Sequence, residues 1–359
     1  MAYQSVGTPR FWVSTLQWLN SKGLLYWNNT SFSGANLNLF NLNPVNGNVL
    51  TGGATADDYF AINAEYGFQN IMINDNNFYM VLGHNFGSIG LTNLYLKTAW
   101  DSGQSTNYPL ATNAYVNSMV NFNSEGYDGY SINIGSNGHD FAPSTVEGDA
   151  SPDDATYIKF RLDGSYSADT QINIGSILYG TYYTMPHSPD LNLTMTREYG
   201  GTKTLETKGG ATLTNSYWTK QPNWSNGLGA WELGSGGLYA DRDMALQALS
   251  DGGRRIWNLS FSYLDEENLF PKMTSLTDYQ TGTQTVENPY LDNTLLQENS
   301  FYSQVLLKTL GAGNLPFVFQ PDKDDTTNFA ICMFDQDSFQ FKQVANGVYN
   351  ISMKIREVW

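Results

Sequence analysis

From Val348 to Arg356 the chain alternates: Tyr349, Ile351, Met353 and Ile355 are apolar, while Asn350, Ser352, Lys354 and Arg356 are polar. That is the two-residue period of a strand with one buried face. A second run, Phe339 to Val344, precedes it, and Asn346-Gly347 between them predicts a hairpin closed by a type I′ turn. A two-faced strand that runs on to Val358-Trp359 implies a docked end, held by its own core or by a neighbouring subunit.

Between Asp57 and Asp190, short apolar or alternating runs are cut about every ten residues by turn residues. The clearest are Asn70–Ile73, Phe78–Leu82, Leu94–Thr98, Tyr157–Leu162 and Thr170–Leu178. This spacing predicts a β-sandwich or jelly roll. Beyond Leu191 the strands lengthen to Leu191–Arg197, Thr202–Lys208 before Gly209-Gly210, Arg255–Tyr263 and Phe329–Phe334. Helices are predicted at Phe11–Gly23, with Trp12, Leu16 and Leu19 on one face and Gly23 as its stop. Two more are predicted at Asp241–Leu249 and Ser300–Leu310, the latter capped by Asn299 or Ser300 and stopped by Gly311. The fold expected is mainly β in three parts: an N-terminal helical arm and linker over 1–56, a jelly-roll or β-sandwich domain over 57–190, and a strand-rich domain with one or two short helices over 191–359.

Composition narrows the function. Charged residues make up 14% of the 359, as do aromatics, against about 25% charged in an ordinary soluble domain. The surface is therefore built largely from Asn, Ser, Thr, Gly and Tyr, which suits packed assemblies and sugar contacts. A net charge of −16 argues against nucleic acid as a partner. No apolar stretch approaches the length of a membrane span, and residues 1–10 lack the pattern of a secretory signal. The single cysteine, Cys332, lies in an apolar run and reads as a buried, inert thiol.

Candidate chemistry is sparse. His84, His139 and His187 are isolated in the sequence, and no metal-ligand spacing, Gly-x-Ser-x-Gly elbow or phosphate loop is present. Glu198, Glu206 and Glu232 are the carboxylates considered for glycoside hydrolysis, but nothing marks a pair among them. No cofactor is expected. Calcium is the one ion considered, at the oxygen-rich segments Asn74–Asn77 and Asp322–Asp325, although neither completes an EF-hand loop. Tyr179, Tyr182 and Tyr183 beside Asp190 form a candidate glycan platform, with strand core as the competing reading.

Several stretches together resemble virion structural proteins of tailed bacteriophages. Tyr79–Phe86, a strand leading into Gly83-His84-Asn85, is similar to the early part of galactose-binding-like jelly rolls. Ile174–Asp190 is similar to the hand-over from such a module to the next domain. Asp251–Tyr263, Leu315–Asp322, Phe329–Phe334 and the final hairpin resemble the assembly domain of tail-tip and distal-tail-like proteins. The resemblance covers about two thirds of the chain, although a distal tail protein opens with its ring domain and here the arm and jelly roll come first. It implies a non-enzymatic tail component, located in the virion and assembled in the host cytoplasm, that forms a ring with copies of itself and joins other tail proteins. The alternative it implies is a carbohydrate-binding adhesin contacting host surface glycans; a secreted glycosidase is the third reading. Candidate assembly contacts are Phe11, Trp12 and Trp18 on the arm and Tyr349, Ile351 and Trp359 on the final hairpin.

Overall fold

The computed structural model describes residues 6–30, 32–43, 48–51, 57–64, 77–82, 91–99, 107–109, 157–164, 167, 169–198, 202–216, 223–225, 228–229, 254–271, 294–310, 313–324 and 330–358. β1 (Arg10–Ser14) leads into α1 (Thr15–Ser21) and β2 (Leu25–Thr30), and a 3₁₀ turn, Leu37–Phe40, follows. Next come β3 (Asn48–Thr51), β4 (Asp57–Ala64), β5 (Asn77–Leu82), β6 (Leu91–Ala99), β7 (Asn107–Pro109), β8 (Tyr157–Gly164), β9 (Gln171–Ile174) and β10 (Ser176–Thr184). The second half holds β11 (Thr194–Glu198), β12 (Thr202–Glu206), β13 (Thr212–Ser216), β14 (Asn223–Ser225), β15 (Leu228–Gly229) and β16 (Arg254–Asp265). After the short helices α2 (Glu266–Leu269) and α3 (Thr294–Gln297), a π-helical turn, Tyr302–Leu306, runs into α4 (Leu307–Thr309). The last strands are β17 (Phe317–Gln320), β18 (Ala330–Phe334), β19 (Phe341–Ala345) and β20 (Val348–Glu357).

The fold is mainly β, as expected, with layered sheets consistent with a sandwich. One antiparallel sheet of nine strands runs β11-β16-β20-β18-β17-β1-β10-β5, with β19 also on β20. A five-stranded sheet runs β2-β4-β8-β6-β7. The large sheet draws strands from all three expected segments: β1 from residues 1–56, β5 and β10 from 57–190, and the remainder from 191–359.

Two apolar cores flank β10. The first gathers Phe11, Trp12, Tyr183, Trp257, Phe301, Phe317, Phe319 and Phe334 with the buried face of β20. The second gathers Leu16, Trp18 and Leu19 from α1 with Ile62, Ile158 and Phe160 from the five-stranded sheet, and it also includes Ile177 and Tyr179 of β10. β10 therefore serves both cores.

The expected arm helix is half strand. Phe11, Trp12 and Val13 pair with Tyr183, Tyr182 and Thr181 of β10, and Arg10, Phe11 and Trp12 pair with β17 on the other side. The helix starts only at Thr15, where the Ser14 side chain, in extended backbone, accepts from the Gln17 N–H at 3.3 Å. Ser14-Thr15-Leu16-Gln17 carries the S-x-x-Q spacing of a capped start, and aromatic and β-branched residues before it favour a strand. The stop is as expected: Gly23 sits at φ 69°, its N–H donates to Asn20 O, and the Leu24 N–H reaches Leu19 O. Those two bonds make a Schellman motif.

The final hairpin forms with the expected faces, but its turn differs. Ile351, Met353 and Ile355 are buried and Ser352 is exposed. Gly347 takes φ 67° while Asn346 stays out of the left-handed region, and the register slips between Gln343 and Ala345. A type I′ turn needs positive φ at two residues; a bulged turn needs it only at the glycine. In the helix expected at Ser300–Leu310, Ser300 is the cap, its hydroxyl accepting from the Ser303 N–H at 3.2 Å. The helix expected at Asp241–Leu249, the strand at Asn70–Ile73 and Gly311 lie outside the described residues.

Candidate functional site

The sequence-predicted contacts separate sharply by burial. Phe11 and Trp12 lie in the first core, where Phe11 packs on Phe301, Phe317, Phe319 and Phe334 with ring centroids 5.4–6.1 Å apart. The Trp12 indole N–H donates to Gln320 Oε1 at 3.2 Å, and its ring meets Tyr182 at 4.7 Å and Phe78 at 5.2 Å. Trp18 is buried in the second core. These three side chains are consumed by the chain's own interior, so the reading of them as anchors on a neighbouring subunit is corrected. Ile351 is buried as well, and Tyr349 is half-buried with its ring edge-on to Phe270 at 5.6 Å. Trp359 lies outside the described residues.

The candidate glycan platform is also core. Tyr179, Tyr182 and Tyr183 are all buried on β10, and burial pushes the Tyr179 and Tyr183 phenols well above their usual range. The Tyr183 hydroxyl donates to Asn268 O at 2.7 Å. They cannot stack against a sugar from inside the protein. Asp190 is different: it is half-buried at the start of the crossing to β11, its N–H donates to Ser260 O, and its Oδ2 accepts from the Ser262 hydroxyl at 2.7 Å.

Beside Asp190, β16 bulges between Phe261 and Leu264. The bulge puts Tyr263 at φ 62°, a conformation costly for an aromatic residue, and leaves it 76% exposed. Its N–H is held by Asn350 Oδ1 of β20 at 3.0 Å, and Leu191 nearby in sequence to Asp190 is fully exposed.

A second exposed feature is the ribbon of β12 and β13. Leu205 faces Leu213 directly across the pair, and the two are 59% and 60% exposed. The turn is built by Thr207, whose hydroxyl donates to Ala211 O and accepts from the Ala211 N–H, and by Gly210 at φ 78°. Among the described residues the ribbon pairs with no other strand. Two-stranded ribbons are marginal in water unless something packs on them, and among the described residues nothing covers the leucine pair. The sequence signal for it is a hairpin with one apolar residue per strand, too few to hold it on its own core.

The remaining candidates fare as follows. Glu198 pairs with Arg356, Glu206 is exposed on β12, and Glu232 lies outside the described residues. In the loop Asp322–Asp324, Asp322 Oδ1 accepts from the Asp324 N–H at 3.1 Å and Asp324 is paired with Lys323 at 2.8 Å. Asp325 and residues 74–76 of the other oxygen-rich segment are outside the described residues, and among those described no group of three or more His, Cys, Asp or Glu converges. His187 lies 6.0 Å from the Phe261 ring with Nδ1 against Ser188 O; His84 and His139 lie outside the described residues. Cys332 is fully buried, and burial pushes its thiol up, as does the neighbouring Glu357. No described helix is long and apolar enough to cross a membrane.

Sequence reasoning missed two buried sites of ionisable side chains, the Arg255–Glu357 pair and Lys308. Glu357, the last residue of β20, receives Arg255 through the backbone N–H at 2.8 Å and through the guanidinium at 3.2 Å on each carboxylate oxygen. Lys308 is fully buried against Gln304 and Thr181. Glu357 does follow the strand's inward register, so alternation alone would have found its face, although not its partner. Compared with protein-family models, curated proteins and solved structures, the chain matches none of them.

Proposed function

We propose that this protein is a non-enzymatic structural component of a tailed-phage virion, which associates with copies of itself and with neighbouring tail proteins through exposed strand surfaces. The carrying observation is the β12–β13 ribbon with Leu205 opposite Leu213, both more than half exposed. Covering that pair offers about 1–2 kcal/mol per leucine, and the ribbon's main-chain edges, unpaired with any other strand among the described residues, offer hydrogen bonds to a neighbour. A low-charge surface supports the same reading, since close packing then desolvates few charges.

The test is sedimentation of the full-length protein beside Leu205→Asp/Leu213→Asp. A discrete multimer for the parent and a folded monomer for the variant is the expected result; equal mass for both would remove the ribbon from the assembly. Deleting residues 1–23 is not an equivalent test, because it takes out β1, a central strand.

Tyr263 favours a second reading, contact with host glycans. An exposed ring on a bulge, beside Asp190 and Asn350, has the aromatic face and polar neighbours that sugar contacts use. A parent that stays monomeric at every concentration and retains a glycan would move the assignment to this surface.

A further inference from the structure

Lys308 is a lysine with no exposed surface, and its amine end lies against β10, the strand that serves both apolar cores. The helical segment that carries it packs Phe301, Val305 and Leu306 into the first core, while Leu296 just before it and Leu315 just after it pack on the second. Across from it stands Thr181 of β10, the strand that serves both cores.

The local hydrogen bonds can be counted. Lys308 Nζ donates to Gln304 Oε1 at 2.7 Å and to Thr181 Oγ1 at 3.3 Å. Thr181 donates its own hydroxyl proton to Gln304 Oε1 at 2.7 Å, and the Gln304 amide donates to Leu296 O at 3.1 Å and Glu298 O at 2.7 Å. A neutral amine has two N–H groups, and both find acceptors. An ammonium has three, and the third finds no acceptor among the described residues. Neither acceptor is charged, so among the described residues no counter-charge offsets the desolvation of a cation.

The charged and titratable neighbours do not change that count. α1 carries none between Thr15 and Ser21, and Lys22 beyond it is exposed. Arg10 of β1 is spent on Thr184 Oγ1 and the rings of Trp12 and Tyr182. Tyr179 and Tyr183 of β10 are kept protonated by burial, and Glu298 reaches the cluster through its backbone carbonyl.

We propose that Lys308 is a pH-operated latch across the seam between the two cores, closed while its amine is neutral and loosened when the amine takes a third proton. Burial lowers its pKa from the usual lysine range to about 7. The sign follows from linkage: the opened or unfolded state, with an ordinary lysine pKa, binds more protons than the closed state between about pH 7 and pH 10. Opening therefore becomes about tenfold easier for each unit of pH lost across that window and levels off below it.

The experiment is hydrogen exchange of the full-length protein from pH 6 to 10, corrected for intrinsic rates, read at β10 and at the helix of Lys308, beside Lys308→Met. The parent should lose protection at both elements about tenfold per unit of falling pH between about pH 10 and pH 7 and level off below that, and Lys308→Met should be flat. Superimposable profiles would overturn the proposal. Should the methionine variant fail to fold, ¹⁵N NMR of the lysine side chains of the parent at pH 8.5 decides it: a neutral-amine signal for the buried lysine supports the latch, and an ammonium signal overturns it.

Discussion

Two sets of three strands in the large sheet, β17-β1-β10 (the central set, each paired on both sides) and β11-β16-β20 (the rim set, running to the β11 edge), share one hydrogen-bonded surface but differ in their exposure to water. The central strands are buried along almost their whole length, on both faces. The rim strands bury one face, with Trp257, Leu259, Phe261, Ile351, Met353 and Ile355, and turn Thr194, Asn258, Ser260 and Ser352 outward. Polar side chains mean different things in the two places. At the centre Thr181, Gln304, Lys308 and Gln320 have bonds that water cannot replace. At the rim the Asn258–Thr194 and Ser260–Ser352 contacts are made in view of solvent that would take over if they broke.

This contrast can be broken most severely at Gly180. A Cβ there would lie 2.0 Å from Val13 O and 2.6 Å from the Thr15 nitrogen, where β1 turns into α1 against β10. These two contacts and a third, to the Ser14 Cα at 2.9 Å, are all backbone, so nothing nearby can swing away. Gly180→Ala is expected to cost about 3 kcal/mol or more, seen as a large drop in the urea midpoint or a failure to fold; an unchanged midpoint would mean the centre is not close-packed. Next comes Glu357, which tests whether the inner face of the rim behaves like the centre. Glu357→Gln removes the charge facing the Arg255 guanidinium, itself stacked over Trp257 at 5.0 Å. The expected loss is about 3–5 kcal/mol, with much of it recovered when Arg255→Met is added; a loss below about 1 kcal/mol would show that water reaches the pair. The smallest effect belongs to the outer face. Ser260→Val should change stability by no more than about 0.5 kcal/mol, and a larger loss would show that this face is covered by something other than water.

The same contrast explains what could be read in advance. The strands at Arg255–Tyr263 and Val348–Arg356 were legible because solvent on one face forces an apolar residue at every second position. Phe11-Trp12-Val13 was not, since a strand buried on both faces is a continuous apolar run, and such a run fits a helix equally well. The spacing Ser14 to Gln17 was the available hint that the helix starts later. The predicted strand Thr170–Leu178 is two, β9 and β10, which join different sheets. For the candidate site the outcome follows from the same cause. Aromatic residues of β10 look the same in sequence whether they face sugar or a second core, so Tyr179, Tyr182 and Tyr183 could not be assigned from composition. Tyr263 owes its exposure to a bulge, and a bulge is a mismatch in pairing with β20 that only the partner strand reveals.

The sequence by itself determined the class of fold, the faces of the rim strands, the Gly23 stop and the burial of Cys332, because each follows from local geometry or from contact with water. Tertiary structure alone decided that β1 is a central strand, that Arg255 meets Glu357 across 102 positions and Lys308 meets Thr181 across 127, and which aromatics are left outside. Those are properties of partners far apart in the chain, and a residue's own neighbours in sequence carry no record of what will be folded against it.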